Sequence, residues 1–295
     1  MYSIYLYQMI LYISFCFNIC GIYRHFLLKS IPMEKETERE TERRVSEYFW
    51  RNDISAVAFD MDDTLTRTND YYRSSITGAA YIFLRMSQIE EDLNPKMYEI
   101  YTDAVDIFRG YGLPQDITDL TLQAILRYRE RHPDIVPQSI ENFPYTFFIK
   151  DFQRDFYLNS PEVFEDTPEI LHIIRRVGIP IYIHSHASWE WTGIKVARIQ
   201  EEIYRRYKMH VEIPFFASPT DRRKDTQAWL QAGEYLGIDY AKTLIVGDSM
   251  QSDILAAQEA GAKRLVHINS TYSRKKLKNK GYRTARGIGE LFVGV

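Results

Sequence analysis

Residues 57–66 read Val-Ala-Phe-Asp-Met-Asp-Asp-Thr-Leu-Thr. A short apolar run of strand formers stops abruptly at three carboxylates and a pair of threonines. Side chains alternate along a strand, so Asp60 and Asp62 leave its carboxyl end in the same direction. In an open α/β sheet that end is where ligands bind. Two carboxylates held close together repel unless a divalent cation or a shared proton lies between them. A strand followed by an acidic, threonine-capped turn is the plainer alternative. It loses ground because three further polar loops downstream fit the same plan.

The chain around this stretch is long enough for a sizeable core. At 295 residues, 45% apolar and 26% charged, it has a globular composition and room for one large domain or a domain with an insertion. A net charge of −3 supplies no overall attraction to nucleic acid or an anionic membrane. Both cysteines, Cys16 and Cys20, lie near the N-terminus. The body therefore has neither disulfides nor thiol chemistry, which fits a reducing, cytoplasmic compartment.

Residues 4–23 carry no charge, and Arg24, His25 and Lys29 follow them. Three readings exist for segment 1–32: translation beginning at Met33, a membrane anchor, or a signal peptide. The sharp change of composition at Met33 favours the first. Membrane attachment would follow only from the second.

From Met33 a charged and then amphipathic stretch, 34–50, predicts a leading helix. Residues 68–160 show helical periodicity with stop signals. One helix covers 71–86. A second opens at Pro95 with Tyr98, Tyr101, Val105 and Phe108 on one stripe, and ends near Gly112. A third is capped by Asp116 and runs to 131, and a fourth spans 147–157. No metal-ligand spacing occurs in this region. Its aromatic residues Phe143, Tyr145, Phe147, Phe148, Phe152 and Phe156 read as packed core rather than a substrate cage. From Pro161 the pattern becomes βαβα. Thr167 and Pro168 start a helix to 177, and strands are expected at 179–184, 210–216, 243–246 and 264–268. Helices are expected at 193–207, 224–236 and 253–260. This order predicts an α/β fold, a Rossmann-like doubly wound parallel sheet built from 33–67 and 161–295, with 68–160 inserted as a helical cap.

The remaining polar loops fall at strand ends. Ser185 can hydrogen-bond an anion. Lys224, near a helix start, can hold a phosphate together with free backbone donors. Gly247 permits a tight turn into Asp248, and Asp253 follows across Ser249 and Ser252. Four carboxylates, a hydroxyl and a cation around one point make up the equipment of metal-assisted phosphoryl transfer.

On these motifs the sequence resembles the haloacid dehalogenase-like (HAD) superfamily, over about residues 55–269, in its phosphoglycolate phosphatase-like form with a helical cap after the first motif. The resemblance implies that Asp60 is the nucleophile, forming an aspartyl-phosphate, and that Asp62 acts as acid and then base. It implies Mg2+ held by the Asp60 carboxylate, the Asp62 backbone carbonyl, Asp248 and Asp253. Ser185 and Lys224 would bind the phosphoryl oxygens; apart from the resemblance, His184 and His186 flank Ser185, and His186 is taken as a substrate-binding candidate. Three features depart from the family pattern. Asp63 stands where glycine is common, His186 where asparagine is common, and Lys224 lacks a following proline. Of His184 and His186, one is expected to be only a strand-end residue.

The expected activity is hydrolysis of small-molecule phosphate monoesters. Phosphoglycolate, nucleotides and sugar phosphates all remain candidates. A sugar-phosphate mutase shares the motifs, and a non-catalytic binding or regulatory protein on the same scaffold is the reading from another class. Asp62 argues against a dehalogenase, whose halide leaving group needs no proton. The late basic cluster Arg274, Lys275, Lys276, Lys278, Lys280 and Arg283 reads as a solvated surface, and no nucleic-acid partner is expected.

Overall fold

Six parallel strands run through the centre of the computed structural model, which describes residues 38–113, 115–133, 145–269 and 282–293. They are β1 (Ala56–Phe59), β2 (Ile181–Ser185), β3 (Phe215–Ala217), β4 (Thr243–Gly247), β5 (Arg264–Ile268) and β6 (Arg283–Ala285), in spatial order β3-β2-β1-β4-β5-β6. The chain lays down β1, β2 and β3 in one direction, then returns to the other side of β1 with β4. Strand order therefore reverses at β1, and a crevice opens beyond its carboxyl end. β1 and β4 are buried throughout, as central strands covered on both faces require. β6 was not foreseen from the sequence.

Helices cover both faces. Val57 and Phe59 face a cluster that includes Phe49 of α1 (Glu38–Arg51), Leu171 and Ile174 of α6 (Thr167–Arg176), and Ile199 and Ile203 of α7 (Trp189–Tyr207). Ala58, one position out of phase, faces the opposite layer with Ile245, Leu265 and Trp229, the last on α8 (Thr226–Leu236). Thr41–Val295 form one compact unit, and before it only 38–40, in the first turn of α1, are described.

Four helices lie in sequence between β1 and β2: α2 (Thr68–Met86), α3 (Leu93–Tyr111), α4 (Ile117–Arg131) and α5 (Tyr145–Gln153). They have a core of their own around Phe83, Ile100, Ile125, Tyr128 and Ile149. Gly112 ends α3 at φ +66°, and the Asp116 carboxylate accepts from the N–H groups of Thr118 and Asp119 to start α4. On α5 the spacing buries Tyr145, Ile149 and Gln153 on one face. Phe147, Phe148 and Phe152 are left exposed, contrary to the packed core expected of them. Phe156 is buried as expected, and Phe143 lies outside the described residues.

Local starts also differ from the sequence pattern. Thr167 does not cap α6, because its hydroxyl is drawn inward to donate to the Leu65 carbonyl at 3.1 Å. α7 begins a full turn earlier than expected, since the Ser188 hydroxyl accepts from Trp191 N–H at 3.2 Å and caps it. α8 begins at Thr226 with Asp225 as its cap, leaving Lys224 outside the helix. The expected helix 253–260 is a π-helical turn, Met250–Leu255, leading into the short α9 (Ala256–Glu259).

Segment 1–32 and the basic residues 274–280 lie outside the described residues. Among the described residues no helix is long and apolar enough to cross a membrane. Arg283, the last of the basic cluster, belongs to β6 and donates to the Leu291 carbonyl.

Candidate active site

All the loops singled out from the sequence meet at the crevice beyond β1. Asp60 directly follows β1, its N–H donating to Val246 of β4 at 2.8 Å. Ser185 is the last residue of β2, Asp248 directly follows β4, and Asp253 lies in the π-helical turn. One oxygen each from Asp60, Asp248 and Asp253 fall within 4.8 Å of one another. Gly247 makes this approach feasible: a Cβ there would stand 2.5 Å from the Cβ of Asp253. The Asp253 carboxylate is fixed by Ser249 N–H at 2.9 Å.

Lys224 is the cation of this group. Its buried ammonium donates to Asp60 Oδ1 at 2.6 Å, Asp253 Oδ1 at 2.7 Å and the His184 carbonyl at 2.7 Å. Three N–H bonds meet three acceptors, so the expected pairing with a helix N-terminus is replaced by direct clamping of two acids. Burial opposes the charge on Lys224, but Asp253 and Asp60 outweigh it and hold the ammonium above its ordinary range. One lysine does not neutralise three carboxylates. Burial, then the negative charge of Asp253, pushes Asp60 up to about 7 against the pull of Lys224. Burial, followed by Asp60 and Asp253, raises Asp248 well above the ordinary carboxylate range. A trio of oxygen donors with uncompensated charge suits a hard divalent cation.

Asp62 stands apart from that trio. Its Oδ1 accepts from Lys195 Nζ at 2.6 Å and from the Thr68 hydroxyl at 2.6 Å, and Ser185 Oγ donates to Oδ2 at 3.4 Å. Lys195 is fully buried, and its ammonium lies 4.0 Å from the centre of the Trp191 ring. Burial pushes the Asp62 carboxyl up, but the Lys195 charge and the two hydrogen bonds overcome it and hold Asp62 below its ordinary value. Lys195 escaped the motif reading. Its signal was present nonetheless: Trp191, Lys195, Ile199 and Ile203 recur every four residues, a lysine inside an apolar helical stripe.

Asp63 adopts φ +58°, a left-handed conformation that favours glycine and that aspartate tolerates. Its carboxylate accepts from both the backbone N–H and the side-chain amide of Asn69 at the start of α2. Burial raises it to about 7. The two histidines part company. His184 is buried, pairs with the Ser218 hydroxyl at 2.7 Å and packs edge-on against Trp229, so it is the structural one. His186 is half-buried at the crevice, with Nε2 at 2.8 Å from the Arg222 carbonyl.

A cavity of about 1070 Å³ opens over these groups. Asp60, Asp62, Asp248, Asp253, Lys224 and His186 line its sheet side. Its other walls come from α2, α3, the start of α4, the turn after α5 and the start of α7.

A family model described as a haloacid dehalogenase-like hydrolase matches residues 54–261. Among crystal structures, the chain is similar to a dehalogenase with an intermediate complex, at 13% identity and TM-score 0.50, covering 81% of this chain and 96% of the other. A haloacid dehalogenase-like family hydrolase from Xanthomonas campestris is similar at 15% identity and TM-score 0.51, covering 81% and 89%. A HAD phosphatase from Thermococcus onnurineus is similar at 17% identity and TM-score 0.46, covering 81% and 96%. No curated protein matches the sequence.

Proposed function

Because the chain belongs to the haloacid dehalogenase-like hydrolases, we propose that it is a divalent-cation-dependent phosphatase acting on phosphate monoesters of small molecules. The observation that carries this reading is the division of the four carboxylates. Three converge within 4.8 Å, while Asp62 is held separately on Lys195. A hydrolase of carbon–halogen bonds has no alcohol to expel and no use for this second, independently positioned acid.

Asp60, Asp248 and Asp253 would hold the cation, with Mg2+ suited to a set of hard oxygen ligands. When bound, it neutralises charge on the phosphoryl oxygens and lowers the barrier to their approach by an anion. Asp60 attacks phosphorus through its carboxylate, and the alcohol leaves as the aspartyl-phosphate forms. Lys224, whose ammonium touches Asp60, would offset the charge that develops there, and Ser185 would turn its hydroxyl from Asp62 toward the phosphoryl oxygens. Asp62, kept ionised by Lys195, takes the proton of the water that opens the aspartyl-phosphate. Ionised at rest, Asp62 takes up one proton from solvent as the ester binds, passes it to the leaving oxygen, and releases to solvent the proton it later takes from the water. Helices α2–α5 would act as the cap that keeps bulk water out until the alcohol has gone.

The test is phosphate release from a panel of monoesters by the protein from Met33 onward, with and without Mg2+. Mg2+-dependent release, reduced by about 10⁴-fold or more in Asp60→Asn, is expected. Release that persists in Asp60→Asn, or that ignores chelation, would sink the mechanism.

A further inference from the structure

The cavity bears on which alcohol leaves, a question that rests on the phosphatase reading and goes past it. Its volume of about 1070 Å³ sits at the top of the range, roughly 300–1,000 Å³, of pockets that enclose drug-sized ligands. A two- or three-carbon phosphate ester would leave most of it filled with water. Besides the carboxylates, five aromatic rings from four separate elements line the space: Tyr72, Tyr101, Phe108, Tyr157 and Trp191. Three of the five are held in place by neighbours. Tyr72 packs edge-on against Phe156 at 4.9 Å and against Trp191 at 6.0 Å. Trp191 donates its Nε1–H to the Asn159 carbonyl at 2.9 Å, and the Tyr157 ring packs edge-on against it at 5.2 Å. Others keep ring surface uncovered, and Phe108 is 42% exposed on the cavity side of α3.

The charges point the same way. The one cation that α2–α5 bring to the lining is Arg109, which is exposed and paired with Asp106 at 3.6 Å. Arg223, from the loop before Lys224, is exposed too. The buried cation beside the rings, Lys195 against Trp191, is already committed to Asp62, so among the described residues a second anionic group on the substrate meets only exposed arginines on the aromatic side. A flat π-system finds several faces and edges.

We infer that the substrate is a phosphate monoester whose alcohol carries a planar aromatic ring system, seated against the Tyr101–Phe108 face of α3. A nucleoside and a phenol-type alcohol share this chemistry, and the assay separates them. Full-length protein with Mg2+ is given adenosine 5′-monophosphate, uridine 5′-monophosphate, phenyl phosphate, glycerol 3-phosphate and phosphoglycolate. The nucleoside and glycerol esters expel alkoxides of similar basicity, so a difference between them reports the ring.

The expected result is kcat/KM about tenfold or more higher for the nucleotides than for glycerol 3-phosphate, the size that base stacking on one aromatic supplies. A lower KM for phenyl phosphate than for the nucleotides would assign a phenol-type alcohol, and the reverse order a nucleoside. Phe108→Ala and Tyr101→Ala should each cut the nucleotide-to-glycerol ratio about fivefold or more. Phe147→Ala, which removes a ring 66% exposed and outside the cavity lining, should leave that ratio alone. Equal kcat/KM across the panel, or preference for phosphoglycolate, overturns the inference and leaves the phosphatase standing. If no ester is hydrolysed, the phosphatase reading fails instead. Calorimetric binding of adenosine 5′-monophosphate then decides: saturable binding tighter than that of glycerol 3-phosphate upholds the aromatic site, and equal or absent binding overturns it.

Discussion

Lys195 sets the character of Asp62, and removing it leaves a half-buried carboxylate unpaired. Lys195→Met should destabilise the protein by about 3 kcal/mol, because Asp62 keeps its desolvation cost and loses its ammonium. Urea unfolding measures this, and Asp62→Asn added to Lys195→Met should recover part of the loss. The same change lifts the Asp62 carboxyl from its depressed value, so the acidic limb of the kcat/KM profile moves toward neutral pH by about one unit or more. An unmoved limb would show that Asp62 is not the titrating group. Asp60 has the opposite sign. Its pKa rises from 3.8 to about 7 on folding, so between those values the folded state binds more protons than the unfolded. Metal-free protein should therefore lose stability as pH climbs through that window. Mg2+ needs the ionised ligands, so its rise in Tm should be larger at pH 8 than at pH 5.5 in a thermal-shift titration. An equal rise at both values would remove Asp60 from the ligand set.

Elements place these residues, and two of their ends can be tested. Ser188→Ala removes the cap of α7, the helix that carries both Trp191 and Lys195, and should cost about 1 kcal/mol in chemical denaturation. Gly247→Ala would drive a methyl group into Asp253, since a Cβ there has 2.5 Å to the Asp253 Cβ. It should cost about 1–3 kcal/mol and abolish the Mg2+-dependent rise in Tm. Most elements were readable from the sequence because each had its own punctuation. The apolar runs of β1 and β4 ending in acids, the Asp116 cap, and the glycines at 112, 178, 237 and 261 mark starts and stops that the chain obeys. What escaped depended on distant partners. Thr167 looks like a cap until the Leu65 carbonyl claims its hydroxyl. Lys224 looks like the first residue of a helix until Asp60 and Asp253 draw its ammonium away. The exposed phenylalanines of α5 misled for a related reason. Composition says core, but a nine-residue helix with one covered face can bury only every fourth side chain.

Taken entire, the fold follows from one reversal of strand order, which gathers β1, β2 and β4 around a single crevice. The alternation of strands and helices after residue 161 predicted that gathering, and with it the meeting of Asp60, Ser185, Lys224, Asp248 and Asp253. The cavity was not foreseen. Its rings are scattered from Tyr72 to Trp191, and only the stripe Tyr101, Val105 and Phe108 hinted at a shared face. Trp191 has a further part to play. It belongs by sequence to the helix after β2, yet it packs with Ala187 inside the core of the four preceding helices. The two halves of the protein are thus not interchangeable cassettes. A chimaera that takes residues 68–158 from a relative and keeps this Ala187–Trp191 corner inherits a plug with no matching socket. It should unfold at lower urea than one in which the corner travels with the helices. A change in the four helices that reshapes this socket is therefore felt, through one indole, at the lysine that holds Asp62.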